Sequence, residues 1–331
     1  MDENREVIQF DNGARLVLDP MPHLQTASVG VWVGAGARHE SSKLNGLAHF
    51  LEHMSFKGAG GLSARALVET VENRGAVMNA ATDYERTGFY IRCLSSDVVQ
   101  MGAIAADLAL QPELPESELA LEKSVVIQEI GEAHDTPDDL VFELAQQAAW
   151  VGTSLGRPIL GTQQSVDAFT TNDLKFFTDA HYTAERVVMS VAGQFERDAI
   201  VELAREKLSS LKRGQAPELS TPEFKPGVQV VDRDLEQAHI VLSREGPSGG
   251  SQDRFAARVF TEIFGGGMSS RLYQEVREAR GLAYAIDAYC EQYSDTGRFD
   301  VYCGCAPEDV GDVQAIVSDI WADIAQNGVT D

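Results

Sequence analysis

The sequence has few cysteines, few basic residues and no long apolar run, and each shortage excludes a class of protein. Its four cysteines form no CxxC pair, so they do not make a disulfide framework and we interpret them as reduced thiols. The chain has 27 basic against 51 acidic residues, a formal net charge of −24. Because nucleic acids and anionic membranes bind cationic surfaces, we expect neither as a partner.

The N-terminal stretch MDENREVIQF has neither a basic segment nor an apolar one, and no later segment is long and apolar enough to cross a bilayer. We therefore predict no signal peptide, no transit peptide and a cytoplasmic location. The chain is 331 residues long and 44% hydrophobic, which is enough for two globular domains with a sizeable core.

The order of predicted elements favours an α+β fold. The segments ARLVLD and TASVGVWVGAG alternate as strands do, and SARALVETVENRG predicts a helix that is capped by Ser63 and ends at Gly75. A block of helices follows, and then another strand in ERVVMSVAGQF. We predict a mainly antiparallel sheet packed with helices rather than strict βαβ alternation.

An internal repeat divides the chain. The segments that begin at Thr87 and Thr296 share a pattern of strand ending in cysteine, short acidic turn and amphipathic helix. We predict two related domains, 1–211 and 227–331, joined by a linker at 212–226 that is rich in proline, glycine and charge.

The second copy of the repeat is short. Only 28 residues follow Cys303 (331 − 303), whereas 119 residues separate Cys93 from the linker at Lys212 (212 − 93). We therefore expect the second domain to be truncated at its C-terminus.

The stretch GLAHFLEHMSFK, residues 46–57, predicts a helix with Asn45 as its N-cap. His49 and His53 are four residues apart, so both imidazoles leave one face of the helix, and Glu52 lies beside them. Two neutral imidazoles at this spacing can bind one Zn²⁺. A carboxylate that does not bind the metal can take a proton from the metal-bound water, whose pKa falls from about 15.7 to about 7.

The alternative is a surface helix with two ordinary histidines. The apolar residues Leu47, Leu51 and Met54 on this helix are predicted to face the core in either case.

Zinc needs a third protein ligand and an open fourth position. The acidic segment PESELALEKSVVIQEIGEAHD offers Glu122, Glu129, Glu132 and His134. Spacing alone leaves the choice open. Glu122 and Glu129 are two helical turns apart on one face, so one could bind the metal while the other supports a ligand, and the alternative for each carboxylate is simple exposure to solvent.

HFLEH followed by MSFKG resembles the inverted zinc motif of the pitrilysin, insulinase and mitochondrial processing peptidase family. The segments EKSVVIQEIGE and GGGMSSRLYQEVREARGLAYAI are also similar to segments of that family, so the resemblance covers nearly the whole chain. It implies a zinc endopeptidase in which His49, His53 and Glu129 hold one Zn²⁺, Glu52 is the general base and Glu122 supports a ligand.

The resemblance also implies substrate contacts. Arg277 and Tyr284 would hold the substrate carbonyl, and Asn79 and Ala80 would lie on an edge strand that pairs with an extended peptide. Without the resemblance, Arg277 would be interpreted as a solvated helix residue and Tyr284 as a core aromatic.

Short bacterial and mitochondrial members of the family pair into a chamber, which implies a homodimer or a heterodimer with a related subunit. We expect extended peptides or unfolded segments as substrates, and the acidity of the chain suggests basic ones. Two alternatives are open: a non-catalytic subunit, like the family's respiratory core proteins, and a module that binds peptides without cutting them.

Overall fold

The computed structural model describes residues 5–214 and 219–329. The strands are β1 Glu6–Gln9, β2 Arg15–Pro20, β3 Thr26–Val33, β4 Gly58–Ala59, β5 Leu62–Ser63, β6 Val77–Thr82, β7 Thr87–Leu94, β8 Val187–Gly193, β9 Ala238–Gly246, β10 Ala283–Gln292 and β11 Gly297–Cys305. The α-helices are α1 Leu47–Ser55, α2 Ala64–Glu72, α3 Val98–Leu110, α4 Leu119–Asp135, α5 Pro137–Ala149, α6 Gln163–Ala168, α7 Thr171–His181, α8 Arg197–Leu208, α9 Arg254–Gly265 and α10 Val310–Asn327.

Internal contacts divide the chain into two units. The first unit comprises the residues up to Gly131 together with Arg157–Leu219, and the second comprises Glu132–Gly156 together with the residues from Ser220 onward. The division after Leu219 falls inside the predicted linker, of which residues 215–218 lie outside the described ranges.

A six-stranded sheet organises the first unit, in the spatial order β1-β2-β8-β3-β7-β6. All neighbours are antiparallel except β2 and β8, which are parallel. The central strand β3 buries Ala27, Val29, Val31 and Val33, as its alternating sequence predicts. Strand β6 lies at one edge of this sheet. Ser63 is the N-cap of α2, as predicted, and its side chain accepts from the Ala66 N–H.

The second unit repeats part of this arrangement. Its sheet has the order β10-β11-β9, and all its pairs are antiparallel. The order corresponds to β6-β7-β3 in the first unit: Cys93 of β7 lies opposite Ala27, and Cys303 of β11 lies opposite Ile240. The prediction of an α+β fold with two related, mainly antiparallel sheets is confirmed.

Residues 132–156 were predicted to lie in the first domain, but they pack with the second unit. The reason is aromatic packing that local sequence does not reveal. The Phe142 ring of α5 stacks on Tyr302 with the ring centroids 5.4 Å apart, and the buried Trp150 ring meets Tyr293 at 5.4 Å and Phe224 at 6.3 Å.

All four cysteines carry free thiols. Among the helices of residues 5–214 and 219–329, none combines the length and the apolar character that a membrane span requires.

Two histidines and an arginine, His39, His181 and Arg186, lie close together in the first unit. The His39 and His181 ring centroids are 5.7 Å apart, and Arg186 Nη1 lies 3.1 Å from His181 Nδ1. Burial, and then the Arg186 charge, lowers the pKa of His39 to about 3 and that of His181 to about 4. Both imidazoles are therefore neutral in the folded protein at pH 5, whereas in the unfolded chain they are protonated below about pH 6.5.

We expect this arrangement to make the fold sensitive to acid. The depressed pKa values cost the fold little above about pH 6.5, and they destabilise it increasingly as the pH falls toward 4, because the unfolded chain takes up protons that the folded protein does not. The loss between pH 6.5 and 5 should be about 3 kcal/mol for the two histidines together. Urea unfolding at the two pH values checks this, and a His39→Gln/His181→Gln variant should lose most of the difference. An unchanged pH dependence in that variant would contradict the assignment.

Candidate metal centre

Helix α1 carries the predicted histidines, but its cap differs from the prediction. Its N-cap is Gly46, whose φ of 93° lies in the left-handed region that favours glycine, and a Cβ there would lie 2.6 Å from the Leu160 carbonyl oxygen. The prediction of Asn45 as the cap is wrong, because its side-chain amide donates to the Pro158 carbonyl at 2.8 Å. The predicted core residues Leu47, Leu51 and Met54 are buried.

The side-chain carboxyl group of Glu40 pairs with the free N–H groups at the start of α1 instead. Its Oε2 accepts from the Gly46 N–H at 2.8 Å, and its Oε1 accepts from the Ala48 N–H at 2.7 Å. The side chain is buried, so two of the N–H groups that a helix leaves without an internal partner are paired away from water. Sequence reasoning missed Glu40 because it precedes the helix by several residues and lies outside the usual capping positions.

Replacement of Glu40 by alanine should destabilise the protein by about 2–6 kcal/mol, because two buried N–H groups would lose their acceptor at about 1–3 kcal/mol each. Glu69→Ala on the exposed face of α2 is the matched control, and it should change stability by less than about 0.5 kcal/mol. Chemical denaturation measures both. Equal effects of the two substitutions would show that Glu40 does not cap the helix.

Helices α1 and α4 bring three potential metal ligands together. The ring centroids of His49 and His53 are 4.5 Å apart. Glu129 Oε2 lies 3.4 Å from His53 Nε2 and 3.8 Å from His49 Nε2. One donor atom from each residue lies within 4.8 Å of the other two, and within the described ranges no other group of this kind is found. Of the four candidates on the acidic helix, only Glu129 belongs to the group.

The donor set fits a zinc ion. Two imidazole nitrogens and one carboxylate oxygen are common zinc ligands, and a set of three leaves a coordination position open. Burial, and then the nearby His53, lowers the pKa of His49 to about 4. His49 is therefore neutral near pH 7, as a metal ligand has to be.

Glu122 orients one of these imidazoles. Its Oε1 lies 2.7 Å from His53 Nδ1, and the Lys57 ammonium contacts its Oε2. Because Nδ1–H donates to this carboxylate, the Nε2 lone pair of His53 is directed to Glu129 and His49. Burial lowers the pKa of His53, but the hydrogen bond to Glu122 and the charges of Glu129 and Glu122 outweigh it, so the pKa lies above its usual value.

The substitution Glu122→Gln should weaken zinc binding about 10- to 100-fold, because the neutral amide polarises the His53 ring less than the carboxylate does. The exposed Glu116, just before α4, provides the control Glu116→Gln, which should leave the affinity unchanged. Competition with a chromophoric chelator measures both affinities. A wild-type affinity for Glu122→Gln would exclude this orienting effect.

Glu52 lies beside the three ligands and is not part of the group. Its Oε2 accepts a hydrogen bond from Thr82 Oγ1 at 2.6 Å. Burial raises the pKa of Glu52, whereas the Thr82 hydrogen bond and the nearby His53 oppose the rise. A carboxylate with a raised pKa beside a candidate metal site is suited to accept a proton.

Asn79 and Ala80 lie on β6, whose only strand partner in the described sheet is β7. The Asn79 side chain is exposed, and its Oδ1 accepts from the Ala80 N–H at 2.9 Å. The structure therefore places both residues on an edge strand.

Arg277 and Tyr284 belong to the second unit, where they are in contact. The Arg277 guanidinium lies 4.9 Å from the centre of the Tyr284 ring and 4.7 Å from that of Tyr273, within a π-helical segment, Tyr273–Glu278. Tyr284 is 76% exposed, so the interpretation as a core aromatic is wrong. Segments of π-helix are rare and occur frequently at functional sites.

These observations describe an α+β protein with two related units and a candidate metal centre formed by two histidines and one glutamate. Residues 15–163 match the family model described as insulinase (peptidase family M16), and residues 168–331 match the one described as peptidase M16 inactive domain. The uncharacterized zinc protease YmxG of Bacillus subtilis is 36% identical over 319 residues, which are 96% of this chain and 78% of that protein. An uncharacterized zinc protease of Mycobacterium tuberculosis, Rv2782c, is 37% identical over 325 residues, 96% of this chain and 74% of that protein. The chain belongs to the insulinase family of peptidases, as the motif resemblance implied.

Solved structures share the fold. The crystal structure of a protease from Helicobacter pylori has a TM-score of 0.90 at 23% identity, covering 99% of this chain and 81% of that one. A chain of complex III2 from Candida albicans, with Inz-5 bound, has a TM-score of 0.83 at 21% identity, covering 98% and 77%.

Proposed function

We propose that this protein is a zinc-dependent endopeptidase that hydrolyses peptide bonds in extended peptides or unfolded segments. The observation that supports it most is the convergence of His49, His53 and Glu129 from two helices, with the Glu52 carboxylate beside them and outside the ligand group. The relatives are named as zinc proteases, and these names support the same proposal.

In this proposal His49, His53 and Glu129 hold one Zn²⁺, and Glu122 keeps His53 in the tautomer that leaves Nε2 available. The ion supplies Lewis-acid chemistry, which lowers the pKa of water and polarises a peptide carbonyl. Glu52 accepts the proton from the attacking water and returns it to the departing amine.

Arg277 and Tyr284 are proposed to stabilise the negative charge that develops on the substrate carbonyl oxygen. Their support is their contact with each other and the exposure of Tyr284, which leaves its hydroxyl accessible. On the first unit, the edge strand β6 would bind the peptide at Asn79 and Ala80 by adding it as a further strand.

The net charge of −24 favours peptides with basic residues. Cleavage of a basic and an acidic version of one quenched fluorescent peptide tests this preference. Equal kcat/KM values for the two peptides would exclude it.

The function is tested by metal analysis and peptide hydrolysis on the same purified sample. We expect bound zinc, cleavage of an unstructured quenched peptide, loss of cleavage on treatment with a chelator and its return when zinc is added back. Hydrolysis that persists in metal-free protein would contradict the proposal.

A non-catalytic subunit or a peptide-binding module is the second candidate. It is favoured by the match of residues 168–331 to the inactive-domain model and by the fold shared with a chain of complex III2. A protein that binds zinc and an extended peptide but leaves the peptide intact would support this candidate over the first.

We further propose that the chain works as a homodimer, or as a heterodimer with a related subunit. Light scattering of the purified protein tests the homodimer. A monomeric mass at micromolar concentration together with full activity would contradict both forms of assembly.

A further inference from the structure

We infer that Thr82 is a positioning residue that fixes the Glu52 carboxylate to strand β6. Thr82 is the last residue of β6, and its hydroxyl provides the one hydrogen bond described for the Glu52 side chain, at 2.6 Å. The inference rests on the proposed function, because positioning matters only if Glu52 moves a proton.

The protons of the two neighbouring threonines can be assigned from the distances. Thr87 lies opposite Thr82 in the β6–β7 pair, is fully buried, and donates its hydroxyl proton to the Ala35 carbonyl at 3.0 Å. The two hydroxyl oxygens are 3.5 Å apart, much farther than the 2.6 Å from Thr82 Oγ1 to Glu52 Oε2. The single proton of Thr82 is therefore donated to Glu52.

This hydrogen bond distinguishes the two oxygens of the carboxylate. Oε2 is held by Thr82, whereas no hydrogen bond to Oε1 is found among the described residues. Oε1 is thus the oxygen available to a water molecule. Without the hydroxyl, the Glu52 side chain would be free to adopt other rotamers, and a general base that is displaced by about 1 Å can lose roughly 100-fold in rate.

The position of Thr82 in the strand gives the hydrogen bond a second consequence. Thr82 follows Ala80 by two residues, so both side chains lie on the same face of β6. Strand β6 would then position both a peptide that adds to its edge and the Glu52 carboxylate that Thr82 holds. The geometry links the strand proposed to bind substrate to the atom proposed to take the proton.

The test compares Thr82→Val, which has nearly the same shape but no hydroxyl, with Thr82→Ser, which keeps the hydroxyl. We expect the valine variant to lose about 10- to 100-fold in kcat, with KM and zinc affinity within about twofold of wild type. The serine variant should retain kcat within about threefold. Thr70→Val is the matched control, since the Thr70 hydroxyl donates to the Ala66 carbonyl within α2, and it should behave as wild type.

A second readout does not depend on activity. In crystal structures of the zinc-loaded proteins, Glu52 should have one conformation in the wild type and in Thr82→Ser, and several in Thr82→Val. A single, unmoved Glu52 in the valine variant overturns the inference, as does a wild-type kcat or an equal loss of kcat in the serine variant.

The outcomes separate this inference from the proposed function. If the wild type cleaves peptide, Glu52→Gln does not and Thr82→Val cleaves normally, only the inference fails. If the zinc-loaded wild type does not cleave peptide at all, the proposed function fails and the catalytic meaning of the hydrogen bond fails with it.

Discussion

The substitution Glu52→Gln is expected to lower kcat about 100- to 10,000-fold without loss of zinc. Glutamine has the same shape, and its side-chain carbonyl can still accept the Thr82 hydrogen bond, so the local structure should be retained. An amide cannot take a proton from water, however, and the removal of a general base costs this much in rate. Zinc should stay bound because Glu52 is not one of the three converging ligands.

Steady-state hydrolysis of a quenched peptide measures the loss, and metal analysis of the same samples is its control. An active Glu52→Gln enzyme would mean that another group carries the proton. An inactive variant that has also lost zinc would mean that Glu52 holds the metal, which the structure does not predict.

The substitution Glu129→Gln should abolish hydrolysis and weaken zinc binding by more than about 100-fold. That value is the largest loss expected when the replaced residue only supports a ligand and does not itself bind the metal. The reason is the loss of the one carboxylate oxygen that lies close to both imidazoles, at 3.4 Å from His53 Nε2 and 3.8 Å from His49 Nε2. Glutamine leaves a neutral and weaker donor at that position.

Glu132→Gln is the matched control on the same helix. Glu132 is exposed and lies outside the ligand group, so this variant should keep wild-type affinity and activity. Isothermal titration of zinc into metal-free samples of the wild type and both variants gives the comparison. If Glu132→Gln is the weaker binder, the third ligand has been assigned to the wrong residue.

The part of the site that lies on α1 could be predicted from the sequence, because residues four apart on one helix necessarily share a face. That rule placed His49 and His53 together, and Glu52 beside them. Glu129 follows His53 by 76 residues (129 − 53), and four residues of the acidic helix were acceptable on spacing alone. Only the family resemblance selected Glu129, because the approach of α1 to α4 depends on packing between distant segments.

The residues that hold Glu52 and the start of α1 could not be predicted for the same reason. Glu40 reaches the helix from several residues upstream, and Thr82 reaches Glu52 from a strand 30 residues away. Neither contact belongs to a local capping pattern. Asn45 matched such a pattern, but its side-chain amide donates to the carbonyl of Pro158, which is distant in sequence, instead of capping α1.

The two related sheets were predicted because a strand, a turn and a helix leave a recognisable pattern each time they occur. The packing of residues 132–156 with the second unit depends instead on Phe142 and Trp150. Their aromatic partners are distant in sequence, and no periodicity reveals them.

The central claim is that zinc held by His49, His53 and Glu129 enables Glu52 to hydrolyse peptides. Zinc titrated into metal-free protein, with the initial rate of peptide cleavage recorded at each addition, tests it most directly. We expect a rate that rises from zero and levels off at one equivalent of zinc per chain, and no rise in Glu52→Gln although that variant binds the same zinc. Cleavage that does not depend on added zinc, or one bound equivalent without cleavage, would contradict it.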